Sequence, residues 1–367
     1  GARYVTDDLI RIAEHLGAPV ATTLQGLAAF PGDHPLHAGM GFGPSAVPAA
    51  ENAFKECDVM LAIGTRFAEI CTGSYGAIPP EKLIHIDINP GAIGANHKTP
   101  IGIHADSRDA VPALAEALIG STEARDGSAV MQALAKDKAA YREAWLSHDS
   151  KGRVNPCRFF VELRSQLRDD AIVISDDGNH TFLTAELMQI NNGGDFLSPT
   201  DFNCMGYCVP ATIATKMALP ERQVVGIVGD GAFLMTGLES VTAGTNGIGA
   251  VWFVFNDGEL AQIAQAQEIP YQRTACTNIG KLNYEAFAAA AGTEYVAIEK
   301  DADLQDGIAR ALAASAENKA VLVNVHVDYS KKTQFTVGTL QTNLKRFDTR
   351  NKLRIVGRAL KRKIFGS

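Results

Sequence analysis

The 367-residue chain is 46% hydrophobic and 20% charged, with a net charge of −7. That length exceeds one comfortable core, so two domains are expected, and no run reaches the roughly 18 apolar residues of a membrane span. Charge is uneven: residues 331–367 hold 11 Lys/Arg and one Asp, a balance of +10, which leaves −7 − 10 = −17 on the rest; the acidic body has no aromatic-interleaved basic groove, which argues against nucleic acid as a partner.

Residues 1–118 read as a first α/β unit. Asp7 to Leu16 is expected to be helical, and Pro19 to Thr23 a short strand. Pro48 to Cys57 is expected to be a helix, with its proline in the first turn where the missing N–H does no harm. Asp58 to Gly64 reads as a strand running into a glycine turn, and Leu83 to Ile88 as another strand. Such alternation means a parallel sheet. The start on Gly1-Ala2-Arg3, with no preceding strand, is abrupt for this fold class.

Residues 119–156 read as a linker. Ala129 to Trp145 is Ala-rich and helical, and Ser147 to Pro156 is a loop of turn-forming residues. The second domain spans 157–330. Arg158 to Leu167 is expected to be a helix, and Ala171 to Ser175 a strand ending in Asp176-Asp177-Gly178-Asn179-His180. Asp201 to Tyr207 follows, with Met205 inside it. Six cysteines, at 57, 71, 157, 204, 208 and 276, form no CxxC pair or zinc spacing. Cys204 and Cys208 are spaced to share one helix face. With no secretory leader visible, all six are read as reduced cytoplasmic thiols.

The stretch from Val224 to Gln267 carries the chemistry. Val224 to Val228 is an apolar run of the kind buried in parallel sheets. Gly229-Asp230-Gly231 follows, then apolar side chains at helical spacing from Ala232 to Asn246. A second strand, Ala250 to Phe255, ends in Asn256-Asp257-Gly258. In an open α/β sheet ligands bind at these carboxyl ends of strands. Gly229 and Gly231 allow a tight turn and close backbone approach. A helix starting near Ala232 aims free N–H groups and a positive dipole end at the same spot, which suits a diphosphate. Asp230 and Asp257 add two carboxylates, and Mg²⁺ takes such oxygens together with phosphate oxygens. A glycine turn with a surface Asp is the alternative reading of the motif alone.

Glycine-Asp-glycine, 24 residues, then Asn-Asp resembles the fingerprint of the thiamine diphosphate enzymes, in which the last pair is usually Asn-Asn. The resemblance implies that Asp230 and Asp257 bind Mg²⁺, with the main-chain carbonyl of Glu259 as a third protein ligand. Some carboligases of the family, the catabolic acetolactate synthases, also carry Asp at the second position. Gly178-Asn179-His180 resembles the family's glycine-Gln-His, which contacts the diphosphate. Gly229, Gly231 and Ala232 complete that contact. Met205 matches the large apolar residue beneath the thiazolium ring, and the carbonyl of Asn203 the acceptor for the aminopyrimidine. Gln262 and Ile263 fall where the family varies by reaction. Ile263 replaces the proton-donating Glu of decarboxylases, which favours carboligation, and Ala266 replaces the Trp of biosynthetic acetolactate synthases.

The first unit resembles the central domain of the acetolactate synthase family through Pro19-Val20, Thr22 to Gly26, His34-Pro35-Leu36, Asp58 to Phe67 and His85 to Pro90. In biosynthetic members this domain holds FAD, and Arg66 and Asp87 match flavin-contacting positions. The family's paired acids after Arg-Phe are Ala68-Glu69 here, and its glycine-His-glycine-Thr segment is Gly41 to Ser45. The alternative is an empty α/β domain that supports a dimer.

The expected fold class is therefore α/β, with two parallel-sheet three-layer domains and a basic tail over 331–367. The implied function is an acetolactate synthase-like carboligase acting on 2-oxo acids, cytoplasmic and assembled as a homodimer or homotetramer. The alternatives are a relative such as pyruvate oxidase, glyoxylate carboligase or sulfoacetaldehyde acetyltransferase, or a non-catalytic cofactor-binding subunit. Family members carry a further N-terminal domain, of about 150–200 residues, with the glutamate that activates the cofactor. No residue here takes that catalytic role, and the sequence matches the C-terminal two-thirds of such an enzyme. In the tail, Leu353, Val356, Leu360 and Ile364 recur at helical spacing among Lys352, Arg358, Lys361, Arg362 and Lys363. This basic amphipathic pattern suits docking on the acidic body; binding to an anionic membrane is the less favoured alternative.

Overall fold

The computed structural model describes residues 1–191, 193–354 and 357, without the side chains of 269 and 270. The chain forms two compact units: one is built mainly from 1–144 with 189–196 and 334–342, the other mainly from 145–188 and 197–333. Most of the amphipathic tail pattern, including Val356, Arg358, Leu360, Lys361, Arg362, Lys363 and Ile364, lies outside the described residues.

The first unit alternates helices and strands: α1 (Thr6–Leu16), β1 (Val20–Thr22), β2 (His37–Met40), α2 (Pro48–Lys55), β3 (Val59–Ile63), β4 (Lys82–Asp87), β5 (Ile101–His104), α3 (Ser107–Ser121) and α4 (Ser128–Leu146). β1 pairs only with β2, and β3, β4 and β5 form a separate three-stranded sheet; every pairing is parallel. The expected single sheet is thus two small ones. α1 and α3 share a buried seam of Val5, Ile12, Val111 and Ala115. Phe67 sits at the centre of the β3–β4 end, edge-on to Phe42, His85 and His97 with ring centroids 5.7, 5.4 and 5.0 Å away. Edge-to-face geometry of this kind adds to area burial.

The second unit contains α5 (Pro156–Gln166), β6 (Ile172–Ser175), α6 (Asn179–Leu187), β7 (Asp195–Leu197), α7 (Cys208–Ala218), β8 (Val224–Gly229), α8 (Asp230–Thr236), α9 (Ser240–Asn246), β9 (Val251–Phe255), α10 (Ala261–Tyr271), α11 (Tyr284–Ala291), β10 (Glu294–Ile298), α12 (Leu304–Ala316) and β11 (Val321–Val325); α13 (Gln334–Arg346) follows. Its sheet order is β10-β11-β9-β8-β6-β7. The central strands are continuous apolar runs because helices cover both faces. One face buries Ile172, Ile174, Val224, Val228, Trp252, Val254 and Leu322 with Val209, Ile213, Ala243 and Ala288 from the helices. On the other face Phe159 of α5 lies edge-on to Phe253 and Phe255, at 5.3 and 4.8 Å. Each such fully buried aromatic contributes about 2–3 kcal/mol of burial.

Three local expectations are corrected. The helix foreseen over Ala232 to Asn246 starts earlier, at Asp230, and breaks at a 3₁₀ turn over Gly237–Glu239. Gly237 lies against the Phe233 ring, where a Cβ would come within 2.7 Å of Cε1. Cys204 and Cys208 do not share a helix face, because α7 begins at Cys208 and Cys204 precedes it in a loop. His180 is not in a strand-end loop but in the first turn of α6. All six cysteines are free thiols.

Register decides where the functional segments meet. Parallel pairing sets Gly229 of β8 opposite Phe255 of β9, and Ile227 of β8 opposite Ser175 of β6. The residues that follow each strand, Asp176 to His180, Asp230-Gly231 and Asn256 to Glu259, therefore emerge side by side on one edge of the sheet.

Candidate active site

Asp230 is 3% exposed and stands at the first position of α8. Its Oδ1 accepts from the Gly231 N–H at 2.8 Å. Its Oδ2 accepts from the Asp257 and Gly258 N–H groups at 3.1 and 2.7 Å. One carboxylate thus ties the β8 end to the β9 end. A carboxylate has about four lone-pair sites, so three such bonds leave one for a ligand. Burial pushes the Asp230 carboxyl above the usual carboxylate range, and the three N–H groups oppose that. Asp257 goes further. Burial first, then the Asp230 charge, push it up to about 7. Two acids held together in a poorly solvated place have an unmet need for positive charge.

Glu259 is joined to this pair through the main chain. Its N–H reaches Asp257 Oδ1 at 3.4 Å, and its carboxylate accepts from the Thr277 hydroxyl at 2.5 Å. Among the described residues no three His, Cys, Asp or Glu side chains form a metal cage. Two carboxylates and one carbonyl nevertheless fit a hard divalent cation that takes its other oxygens from a phosphate and water.

Beside the acids lies a cradle. Gly178 has φ +154 and caps α6. A Cβ on Gly178 would meet His180 Cε1 at 2.7 Å, and one on Gly229 would meet the same atom at 2.9 Å. The imidazole therefore lies against both glycine backbones. Asn179 is 5% and His180 3% exposed. The Asn179 Oδ1 and Nδ2 and the His180 Nε2 are buried with no hydrogen-bond partner. Buried polar groups are rarely left so, and here they mark a place that a polar ligand would fill. Burial lowers the His180 pKa to about 3, so the ring is neutral and carries a single N–H. Ala232, in the first turn of α8, is buried.

Met205 and Leu260 converge on Gly231. A Cβ there would sit 3.4 Å from Met205 Cε and 2.5 Å from Leu260 Cδ2. Asn203, in the same loop as Met205, is exposed with a left-handed φ of 56°. Gln262 and Ile263 stand in the first turn of α10, with Ile263 50% exposed. Arg66 and Asp87 are in the other unit, after β3 and at the end of β4. The Asp87 carboxylate is buried and accepts from the Asn89 N–H at 2.8 Å, and the Arg66 carbonyl accepts from Asn96 Nδ2 at 2.9 Å.

Sequence reasoning missed Asp176. It is fully buried, and its carboxylate accepts from the N–H groups of Asp177, Gly206 and Cys208 at 2.9, 2.9 and 2.7 Å. It fixes the loop that presents Met205 to the β6 end and caps α7. The only signal was an acid directly after a buried strand, and the neighbouring Gly-Asn-His drew attention past it.

Known proteins match this chain in the same two parts. Residues 1–114 match the thiamine pyrophosphate enzyme central domain, and 176–325 match the thiamine pyrophosphate enzyme C-terminal TPP binding domain. The chain is 31% identical over 332 residues to a probable acetolactate synthase large subunit of Methanocaldococcus jannaschii, covering 88% of this chain and 55% of that protein. It is 32% identical over 269 residues to the acetolactate synthase large subunit of Corynebacterium glutamicum, covering 72% and 42%. It is 30% identical over 320 residues to an acetolactate synthase of Mycobacterium bovis, covering 84% and 51%. The chain belongs to the thiamine diphosphate enzyme family and is similar to acetolactate synthase large subunits. It spans about half the length of these curated relatives.

The acid pair predicts a pH dependence. An Asp in the unfolded chain titrates near 4, whereas folded Asp257 titrates near 7. The folded state holds this proton more tightly, so the stability it contributes is full below about pH 4 and is lost as pH rises to about 7. Asp257→Asn should flatten that part of the urea-midpoint profile in metal-free buffer. An unchanged slope between pH 4 and 7 would show that Asp257 ionises like an ordinary carboxylate.

Proposed function

We propose that the protein is an acetolactate synthase-like carboligase that uses thiamine diphosphate and Mg²⁺ to decarboxylate pyruvate and join the remaining two-carbon unit to a second 2-oxo acid. The observation that carries the reading is the meeting, at one sheet edge, of the Asp230–Asp257 acid pair with the unpartnered Asn179 and His180. The acids favour a cation and the Asn179 and His180 atoms lack polar partners, and a Mg²⁺–diphosphate would meet both.

Bound thiamine diphosphate would supply a carbanion that adds to the 2-oxo acid carbonyl and an electron sink for the loss of CO₂. The chain's residues do the rest. Asp230, Asp257 and the Glu259 carbonyl hold Mg²⁺. Gly178, Asn179, His180 and the N–H groups around Gly229, Gly231 and Ala232 hold the diphosphate. Met205 supports the thiazolium ring, and the Asn203 carbonyl accepts from the aminopyrimidine. Gln262 and Ile263 line the reaction side, where the apolar Ile263 offers no proton and so favours carbon–carbon bond formation. Asp176 acts through the loop that carries Met205.

The same reading includes a cytoplasmic homo-oligomer in branched-chain amino acid biosynthesis. Leu234 and Met235 of α8, Leu238 of the 3₁₀ turn and Val241 of α9 are all exposed, an apolar row that supports assembly. No helix among the described residues is long and apolar enough to cross a membrane. The finer proposal for the first unit is FAD, held near Arg66 and Asp87.

Asp230→Ala should abolish Mg²⁺-dependent binding of thiamine diphosphate in calorimetric titration, a loss of roughly a hundred-fold or more in affinity, because a deleted ligand costs well above the ~1 kcal/mol of an average substitution. Unchanged binding would refute the metal assignment. For the flavin, the purified protein should carry a flavin absorbance band that is lost in Asp87→Ala; a colourless protein would remove FAD from the proposal.

A further inference from the structure

A clamp lies behind the Glu259 carbonyl, the main-chain oxygen of the proposed cation site. Glu259 and Asn278 form an isolated antiparallel bridge. Its two flanking hydrogen bonds run from the Leu260 N–H to the Thr277 carbonyl, at 2.7 Å, and from the Ile279 N–H to the Gly258 carbonyl, at 3.1 Å. That pattern makes Glu259 and Asn278 a non-hydrogen-bonded pair. In such a pair each residue's own N–H and C=O point away from the partner strand. The Glu259 N–H shows where they point, since it faces Asp257 Oδ1. The Glu259 carbonyl faces the same side. The Glu259 side chain is held separately, by the Thr277 hydroxyl at 2.5 Å.

Thr277 therefore grips Glu259 twice, once through its carbonyl on the adjoining Leu260 N–H and once through its hydroxyl on the carboxylate. It is 2% exposed although its neighbours from Tyr271 to Cys276 and Asn278 are exposed. Cys276 turns the chain into position with φ 58°. Nothing else among the hydrogen bonds described links the Glu259 carboxylate to the fold.

We propose that Thr277 is a positioning residue for divalent-cation binding: it holds the Glu259 carbonyl toward Asp230 and Asp257 and keeps the Glu259 carboxylate turned aside. The inference rests on the metal site proposed above and adds a residue to it that touches neither metal nor substrate. Its effect falls on cation affinity rather than on the diphosphate cradle.

The test is titration of Mg²⁺ into the protein at saturating thiamine diphosphate, with heat as the readout and the urea midpoint recorded for each variant. Thr277→Val, which keeps shape and backbone but loses the hydroxyl, should weaken Mg²⁺ about ten-fold. Thr277→Ser should restore affinity to within about three-fold of the parent. Glu259→Gln, whose amide oxygen still accepts from Thr277, should also stay within about three-fold. If Thr277→Val does not fold, Thr277→Ala carries the same expectation. Unchanged Mg²⁺ affinity in the hydroxyl-free variant would overturn the proposal, as would a large loss in Glu259→Gln, which would make the carboxylate itself the ligand. Asp230→Ala run alongside separates the two levels. If it leaves Mg²⁺ binding intact, the metal site is wrong; if it abolishes binding while Thr277→Val does nothing, only the positioning role is wrong.

Discussion

Two carboxylates that cannot comfortably both be charged organise this molecule. Asp230 and Asp257 come from neighbouring parallel strands, and their closeness is imposed by the sheet rather than chosen by the side chains. The β8–β9 register puts Gly229 opposite Phe255, so the acids that follow must meet. Backbone N–H groups from both strand ends converge on Asp230 and hold it where solvation is poor. The buried sheet that forces this geometry is stabilised by apolar burial elsewhere, in the Phe159–Phe253–Phe255 cluster and the Trp252 face. Hydrophobic area holds the strands in register, and the register creates an electrostatic demand that a proton or a bound cation would meet.

The surrounding features follow from that demand. A cation between the acids needs anionic oxygens on its open side, and the unpartnered Asn179 and His180 are beside it with two glycines that admit a ligand to the backbone. Burial keeps His180 neutral, so it adds no charge of its own to the site. Gly231 is small because Met205 and Leu260 already fill the space above it. Asp176 repeats, one strand over, the device seen at Asp230: a buried strand-end carboxylate gathers main-chain N–H groups and fixes a loop. The same device ties two strand ends together in one case and aims a side chain in the other.

How much of this was readable beforehand depends on the range of the interactions. The apolar runs at Ile172, Val224 and Val251 announced central strands, and glycine-Asp-glycine with Asn-Asp marked their ends, because both signals are local. The broken helix at Gly237 was hidden, since its apolar spacing continues through the break and only the Phe233 ring explains it. Thr277 carried no local signal at all; it matters through a bridge to a residue 18 positions earlier. α13 was hidden for the same reason. It lies in the segment read as a basic tail, yet Phe335, Gly338 and Thr342 are buried and Gly338 packs against the Pro44-Ser45 backbone nearly 300 residues away in sequence. Residue type predicted the strands and their ends, while contacts distant in sequence decided the caps, clamps and helix breaks.

The central claim is that the acid pair and the diphosphate cradle form one site, each incomplete without the other's ligand. The most direct measurement is the electron paramagnetic resonance titration of Mn²⁺, as a substitute for Mg²⁺, into the protein with and without thiamine diphosphate. Two carboxylates and a carbonyl leave about half of an octahedral shell to be filled, so Mn²⁺ should bind at least about ten-fold more tightly when the diphosphate is present. Equal Mn²⁺ affinity in its presence and absence would mean that the acids and the cradle act independently, and would contradict the account.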